Sequence, residues 1–128
     1  MIVLDTHAFV WLAVAPERLG AAASLALVEE ERAICTITVQ EIAYLVVRGR
    51  IKLDRPVATW VSDVLAVHEV QAIAPGVAVA VRAGSLDPAT FPGDPADRLI
   101  YSTAIEHGAR LATADECLRA ADPARTVW

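Results

Sequence analysis

Short apolar runs alternate along the chain with longer segments in which apolar residues recur at helical spacing. The short runs predict strands at 2–4, 33–36, 70–73, 110–113 and, as an edge strand, 126–128. The longer segments predict helices at 6–15, 19–32, 38–47, 56–67, 75–84, 94–107 and 114–121. Apolar strands separated by helices are typical of a parallel sheet that is covered on both faces. We therefore expect an α/β protein with a mainly parallel sheet of about four to five strands.

Glycine and proline mark several of the predicted helix ends. Gly49 and Gly108 directly follow helical segments, in the positions where a helix commonly ends in a left-handed residue. Asp94 followed by Pro95 is the pattern of an N-cap and a first helical residue. Residues 85–93 are rich in turn-forming residues and predict a loop before that helix.

An acidic residue lies at or just beyond four of the predicted strand-to-helix transitions. These residues are Asp5, Glu41, Asp97 and Asp115. Because the carboxyl ends of parallel strands share one edge of a sheet, we expect the four side chains to converge there. Clustered carboxylates raise one another's pKa unless a cation compensates their charge. Oxygen ligands favour Mg²⁺ or Mn²⁺, and the thiols and imidazoles that Zn²⁺ prefers have no suitable spacing here. The pattern predicts a divalent metal site.

Each acid, taken alone, also has a structural explanation at the start of a helix. Asp5 and Asp94 are N-cap candidates, and Asp97 then lies at the third helical position, where an acid favours the helix dipole. The capping-box pattern, in which Ser or Thr precedes Glu by three residues, occurs at 38–41 and 113–116. The metal interpretation therefore depends on the four acids sharing one edge.

Several neighbours of the acids have two interpretations that the sequence leaves open. Thr6 and Thr113 either orient ligands through their hydroxyls or only cap helices, and Asp94 either caps its helix or contacts a metal or a water. His7 either meets the substrate or is an ordinary packed or surface histidine. Arg98 either pairs with a carboxylate or has a structural role. The aromatic residues Trp11, Trp60 and Tyr44 lie at helical apolar spacing, which favours core or dimer packing over base stacking.

Composition indicates a single domain over residues 1–128. A chain of 128 residues with 55% hydrophobic content can bury roughly two-thirds of its unfolded surface. The longest apolar region, 57–81, is interrupted by charged residues and proline, and the N-terminal residues do not match a signal peptide. Cys35 and Cys117 are expected to be reduced thiols. These features predict a cytoplasmic protein without a membrane segment.

The charge distribution is compatible with a nucleic-acid partner but does not by itself indicate one. The net charge is −5, yet residues 32–60 carry five basic and two acidic side chains, a local balance of +3. Metal bound by the acids would neutralise much of the remaining negative charge. Arg48, Arg50 and Lys52 are the candidates for contacts with a phosphate backbone, although such a cluster can also be a solvated helix end.

At the acidic positions the chain resembles the PIN-domain ribonucleases, most closely the VapC toxins of bacterial toxin–antitoxin pairs. The matching stretches are 4–11 (LDTHAFVW), 38–43 (TVQEIA), 93–100 (GDPADRLI) and 111–115 (LATAD). They occur in the order and approximate spacing of the family and extend over nearly the whole chain. One position departs from a common form of the motif, because Gly93 stands where many members have His before Asp-Pro.

The resemblance implies a three-layer α/β/α sandwich and an acidic site for Mg²⁺ or Mn²⁺. Motif matching places Asp5, Glu41, Asp97 and Asp115 on the acidic quartet of the family. It also implies endonucleolytic cleavage of RNA, a homodimer, and inhibition by a small antitoxin in a toxin–antitoxin hetero-oligomer.

The resulting hypothesis is a metal-dependent endoribonuclease that acts as a toxin. Asp5, Glu41 and Asp97 would hold one metal ion, and Asp115 would complete its shell or help to hold a second. The alternative is a non-catalytic PIN-like module that binds a partner and retains a vestigial acidic site. A phosphoacceptor signalling domain is disfavoured because the chain's one lysine, Lys52, lies in a connection between helices.

Overall fold

A single five-stranded sheet forms the centre of the protein. The computed structural model describes residues 1–91 and 93–128. Its strands are β1 (Ile2–Leu4), β2 (Arg32–Cys35), β3 (Val70–Ile73), β4 (Arg110–Ala112) and β5 (Thr126–Val127). All neighbouring pairs are parallel, and the strand order is β3-β2-β1-β4-β5. The predicted α/β class and parallel sheet are confirmed.

Helices follow the strands along the chain. They are α1 (Thr6–Val14), α2 (Ala21–Glu29), α3 (Ile37–Val47), α4 (Val57–Val67), α5 (Val77–Ser85), α6 (Pro95–Glu106) and α7 (Glu116–Ala121), with a 3₁₀ turn at Pro16–Arg18. Within the described ranges, no helix is long and apolar enough to cross a membrane.

Both faces of the sheet are buried, each under its own set of helices. In β1, Ile2 and Leu4 point into a core that contains residues of α1 to α4, whereas Val3 points into a core that contains residues of α6 and α7. Successive side chains of a strand point to opposite faces, so a strand that is apolar at every position requires a cover on both sides. The three-layer α/β/α sandwich that the resemblance implied is therefore confirmed.

The strand order places a crevice at the carboxyl ends of β1 and β4. From β1 the chain moves outward through β2 to β3, and it then returns to put β4 on the other side of β1. The connections that leave β1 and β4 diverge at this point, which is where open α/β sheets form their ligand sites. The Asp5 N–H donates to the Ala112 carbonyl oxygen at 3.0 Å and holds the two strand ends together.

The sequence prediction differs from the structure mainly at the end of α2 and in the buried face of α4. The helix predicted at 19–32 ends at Glu29, because Arg32 already pairs with Ile2 in the sheet. In α4, Trp60 and Val64 are buried as predicted, but Val67 is 75% exposed and Val61 takes its place in the core. Periodicity predicted the helices correctly but misjudged where the final turn leaves the core.

The predicted stops and loop agree with the structure where it is described. Gly49 has φ +69° and Gly108 has φ +60°, the left-handed conformation expected of a residue that ends a helix. The predicted loop 85–93 begins one residue later, because Ser85 still belongs to α5, and Pro92 lies outside the described residues.

Candidate active site

All four predicted acids line one cleft of about 860 Å³ at the carboxyl end of the sheet. The other residues that line it come mostly from α1, α3 and the segments beside them: Thr6, His7, Val10, Trp11, Val14, Ala15, Arg18, Leu45, Arg50, Ile51, Asp94 and Ala114. The convergence predicted from the strand-to-helix pattern therefore occurs.

Asp5 is the most buried of the four acids, with 6% of its surface exposed. It is the N-cap of α1, and its Oδ1 accepts a hydrogen bond of 2.7 Å from the Ala8 N–H. Burial raises the pKa of the Asp5 carboxyl, while the Thr113 hydroxyl and the Ala8 N–H partly offset that rise. The structure thus supports both predicted roles at once, a helix cap and a carboxylate that lines the cleft.

Glu41 is held by a hydroxyl of a different helix. The Thr6 hydroxyl donates to Glu41 Oε2, which joins the start of α1 to the first half of α3. Burial raises the pKa of the Glu41 carboxyl, and the nearby carboxylates of Asp94 and Asp5 raise it further. The capping box that the pattern at 38–41 offered as an alternative role for Glu41 does not form. The helix begins at Ile37, and the Thr38 hydroxyl is fully buried without a hydrogen-bond partner among the described residues.

Asp94 and Asp97 form a reciprocal capping box at the start of α6. The Asp97 N–H donates to Asp94 Oδ1 at 2.9 Å, and the Asp94 N–H donates to Asp97 Oδ2 at 3.3 Å. Burial and the carboxylates of Asp94, Glu41 and Asp115 raise the pKa of Asp97 to about 7, although the Asp94 N–H partly opposes them. The rise therefore reflects burial first and, in addition, the negative charge of the neighbouring carboxylates.

Asp115 caps α7 directly. Its Oδ1 accepts from the Leu118 N–H at 2.9 Å, and the Thr113 hydroxyl accepts from the Asp115 N–H at 3.0 Å. The capping box predicted at 113–116 is therefore wrong in register, because the cap is Asp115 rather than Thr113. Thr113 is fully buried between the ends of β4 and α7.

The four carboxylates share the cleft but do not form a closed coordination group. Within the described ranges, no three acidic, histidine or cysteine side chains are close enough together to hold an ion as they stand. Instead each carboxylate faces a donor, which is a backbone N–H for Asp5, Asp97 and Asp115 and the Thr6 hydroxyl for Glu41. The donor chemistry still suits a hard divalent cation, because every acidic ligand in the cleft offers oxygen.

The basic residues differ from the sequence prediction. Of the three predicted backbone contacts, Arg50 lines the cleft. The Arg48 guanidinium carbon lies 5.6 Å from the Tyr44 ring centroid, and neither Arg48 nor Lys52 is among the described residues that line the cleft. Arg18 lines it and was missed, because it lies in a short 3₁₀ turn that has no motif in the sequence.

The structure also shows the surroundings of the other side chains whose roles the sequence left open. His7 is exposed and Trp11 is half-buried, and both line the cleft. Trp60 packs in the core as predicted, whereas Tyr44 is 59% exposed. Arg98 donates to the carbonyl oxygens of its neighbours across the α5–α6 connection rather than to a carboxylate; these are Leu86 (2.8 and 2.9 Å) and Ala83 (3.1 Å).

The raised pKa of Asp97 predicts how the stability of the metal-free protein depends on pH. The folded carboxyl has a pKa of about 7 against a model value of 3.8, so the folded state binds more protons between about pH 4 and 7. The free energy of unfolding should therefore fall as pH rises through that range, by on the order of 1 kcal/mol after allowance for solvent screening. Thermal unfolding of the protein in EDTA, measured from pH 5 to pH 8, tests this decrease in stability.

The control for this pH dependence is Asp97→Asn, which should flatten the curve without abolishing it, because burial also raises the pKa of Asp5 and Glu41. A parent protein that becomes more stable from pH 5 to pH 8 in EDTA would contradict the prediction.

Comparison with known proteins agrees with this fold and shows the family. The family model for the PIN domain matches residues 2–122. Ribonuclease VapC22 of Mycobacterium tuberculosis (strain ATCC 25618 / H37Rv) is 45% identical over 130 residues, which cover 99% of this chain and 98% of the relative. The chain therefore belongs to the PIN-domain family. Within that family, its similarity to VapC22 over nearly its full length places it among the VapC-type members.

Two solved structures share the fold over nearly their whole length. A toxin–antitoxin complex from Klebsiella pneumoniae superimposes with a TM-score of 0.68 at 20% identity, covering 100% of this chain and 97% of that one. VapBC2 from Rickettsia felis, bound to a DNA fragment from its promoter, gives a TM-score of 0.69 at 20% identity, with 99% and 98% covered.

Proposed function

We propose that this protein is a metal-dependent endoribonuclease and the toxin of a toxin–antitoxin pair. The observation that carries the proposal is the convergence of Asp5, Glu41, Asp97 and Asp115 on one cleft at the switch point of the sheet. The 45% identity to a ribonuclease over nearly the full length supports the reaction class. RNA is the substrate class that this relative's name indicates.

Asp5, Glu41 and Asp97 would hold Mg²⁺ or Mn²⁺, with Asp115 completing the set. A bound ion of this kind lowers the pKa of a water and stabilises negative charge on phosphoryl oxygens. The fit rests on the all-oxygen donor set and on the pKa of Asp97, which is raised to about 7 partly by neighbouring carboxylates. A cation relieves that repulsion, so these residues suit one.

The other polar residues of the cleft would keep the acids in place. Thr6 donates to Glu41 and thereby links α1 to α3, while Asp94 accepts from the Asp97 N–H and fixes the start of α6. Thr113 accepts from the Asp115 N–H at the end of β4. Restraining each carboxylate in advance reduces the ordering cost when the cation and the substrate bind.

The positive charges of the cleft would guide the RNA backbone. Arg50 lines the cleft and is the strongest of the three predicted contacts, and Arg18 adds a second guanidinium. Phosphates neutralised by such residues make binding salt-dependent and largely independent of sequence. Arg48 and Lys52 would act on RNA that extends beyond the cleft.

The proposed partners are a cognate antitoxin and a second copy of the chain. One solved neighbour is by its name a toxin–antitoxin complex and the other is VapBC2, and both support an antitoxin as the inhibitor of this protein. We propose that it acts in the cytoplasm, where its RNA substrate is found, as a homodimer that joins a larger toxin–antitoxin complex.

The proposal predicts that metal both activates and stabilises the protein. Purified protein with Mn²⁺ or Mg²⁺ should cleave RNA internally, and EDTA should stop the reaction. Because a ligand that binds only the native state raises its stability, Mn²⁺ at about 100 times its Kd should add about 2.7 kcal/mol to the free energy of unfolding. For a domain of this size, that is a rise of roughly 10 °C in Tm.

The same experiment separates the enzyme from a non-catalytic partner-binding module. Thermal unfolding with and without Mn²⁺ is compared for the parent, for Asp97→Asn and for Asp87→Asn, which neutralises an exposed acid outside the residues that line the cleft. The parent and Asp87→Asn should show the metal-induced shift, whereas Asp97→Asn should lose most of it. No shift in the parent at millimolar metal, together with no cleavage, would favour the binding module.

A further inference from the structure

One wall of the cleft contains aromatic and cationic side chains that are not needed to hold the metal. We call it the α1 wall and define it as His7, Trp11 and Arg18, all of which line the cleft. The ring centroids of His7 and Trp11, one helical turn apart, are separated by 5.7 Å with planes tilted by 49°. The Arg18 guanidinium carbon lies 4.3 Å from the centroid of the Trp11 ring.

The α1 wall is supported from behind. The Trp11 ring lies 5.5 Å, centroid to centroid, from Trp128, which in turn packs against the main core under α1 to α4. A Cβ atom at Gly20 would overlap Trp128, so glycine at that position allows the C-terminal strand end to lie beside Trp11. Because its backing is fixed, the wall presents a preformed surface rather than one that must be ordered on binding.

The charge of Arg18 remains available to a ligand. In the described part of the chain, none of the ion pairs involves Arg18, although its guanidinium lies over the indole of Trp11. Trp11 lies six positions beyond Asp5, which corresponds to roughly 9 Å along the axis of α1. That distance suits a nucleotide adjacent to a phosphate held at the acids.

We propose that the α1 wall is a nucleobase-binding subsite for single-stranded RNA, next to the phosphodiester that is cleaved. Unpaired RNA bases stack on aromatic rings and on guanidinium planes, and the α1 wall offers both in one continuous surface. The positive charge of Arg18 adds attraction for the adjoining phosphate. This inference rests on the proposed function and assigns a second binding element to the same cleft.

A base suits the α1 wall better than a side chain of a protein partner. The Arg18 guanidinium over Trp11 gives the wall a flat, positively charged face beside the His7 ring, and such a face gains most from a planar and polarisable ligand with a phosphate attached. An aliphatic side chain would gain little from a charged surface. The stacking would be tolerant of sequence, since every base has a π face.

The test compares RNA with and without bases. Binding of a ten-nucleotide oligoadenylate and of an abasic ribose-phosphate oligomer of the same length is measured by fluorescence anisotropy in EDTA. All proteins carry Asp97→Asn, which removes one repulsive charge from the cleft. The variants added to this background are Trp11→Leu, Arg18→Ala and Arg18→Lys. Arg82→Ala is the control, since it removes one positive charge on α5 outside the residues that line the cleft.

The Asp97→Asn background protein should prefer oligoadenylate over the abasic oligomer by about tenfold, the effect of one or two stacked bases. Trp11→Leu and Arg18→Ala should reduce that preference to about twofold or less, and Arg82→Ala should leave it unchanged. Arg18→Lys should lose the preference while it retains affinity for the abasic oligomer. Circular dichroism checks the fold, and Arg18, being exposed, provides a variant that folds if Trp11→Leu does not.

The two proposals fail in different ways. If the wild-type protein does not cleave RNA with Mn²⁺ and the Asp97→Asn background protein binds neither oligomer, the proposed function is wrong and the subsite falls with it. If it cleaves RNA but the folded variants keep the full preference for bases, the subsite alone is wrong, and a contact of the α1 wall with a protein partner becomes the better explanation.

Discussion

Replacing Asp97 by Asn should abolish nearly all RNA cleavage and at the same time stabilise the metal-free protein. The pKa of Asp97 is about 7, raised by burial and by neighbouring carboxylates, so above that pH the folded state carries a charge that lowers its stability. Asn removes the charge that would hold the cation, and with it several kcal/mol of transition-state stabilisation. A loss of about 4 kcal/mol corresponds to a rate decrease of about 1000-fold.

Asp5→Asn should show the same loss of cleavage for the same reason, with little effect on the helix start. Asn is as good an N-cap as Asp, so the amide oxygen can still accept from the Ala8 N–H. The comparison therefore separates the charge of Asp5 from its role as a cap. Asp5→Ala should lose the cap as well, with a cost of about 1 kcal/mol in the free energy of unfolding.

The cleavage rate is measured on a labelled RNA under single-turnover conditions with Mn²⁺. The stability of the metal-free protein is measured by unfolding in EDTA at pH 8. Asp87→Asn is the matched control, because Asp87 also accepts from a backbone N–H, that of Ala89 at 2.9 Å, but lies outside the lining of the cleft. Its cleavage rate should equal that of the parent. Full activity of a folded Asp97→Asn or Asp5→Asn protein would refute the assignment of the acids.

Much of this architecture could be predicted from local patterns because local physics determines it. The strands are apolar at every position, since both faces are buried, and that makes runs such as Ile2-Val3-Leu4 visible without an alignment. The acids were identifiable because an α/β sheet brings the residues after its strands to one edge. Sequence order alone therefore predicted that Asp5 and Asp115 share a cleft.

The details of the site could not be predicted in the same way, because they depend on contacts between residues that are distant in the chain. The structural alternative for Glu41 was a backbone partner within its own helix, whereas the hydroxyl of Thr6, 35 residues away, donates to it. A capping-box pattern describes a local competition for hydrogen bonds. It does not show that Thr38 is drawn into the core.

The position of Trp11 in the α1 wall could not be predicted either, because it too depends on contacts that are distant in the chain. Helical spacing predicted that Trp11 packs in the core or at a dimer interface, since the ring is large and apolar. The ring lines the cleft because Trp128, at the other end of the chain, packs behind it, and because the 3₁₀ turn brings Arg18 over it. Neither contact has a periodic signal in the sequence.

The structure gives a physical reason for Gly93, the residue that departs from a common form of the family motif. A Cβ atom at Gly93 would lie 2.9 Å from the Asp97 Cβ and 2.9 Å from Phe91 Cε1, both closer than real Cβ contacts allow. Phe91 is buried and packs on Tyr101 with ring centroids 4.6 Å apart, so it has little room to withdraw. Glycine at this position therefore allows Asp97 to lie where it faces the cleft.

Gly93→Ala should lower the rate of RNA cleavage by about 10- to 100-fold, because a displacement of a catalytic group by about 1 Å can cost a factor of that size. The added methyl has to move Asp97 or Phe91, and movement of Asp97 also weakens the 3.3 Å bond from the Asp94 N–H. Metal-induced stabilisation should fall with the rate, since the same carboxylate is displaced. Single-turnover cleavage and the Mn²⁺ shift in Tm measure the two effects.

Gly84→Ala provides the control, because it makes the same chemical change within α5, where a Cβ would meet no other atom within 4 Å. Gly84 lies in the last turn of α5, where at most the roughly 0.5–1 kcal/mol by which alanine is favoured over glycine in a helix applies, so this variant should be at least as stable as the parent and fully active. If Gly93→Ala also keeps the parental rate and the parental response to Mn²⁺, the close approach at Gly93 does not position Asp97. A variant that is slow to cleave but responds normally to Mn²⁺ would instead place the effect of Gly93 on RNA binding rather than on the carboxylate.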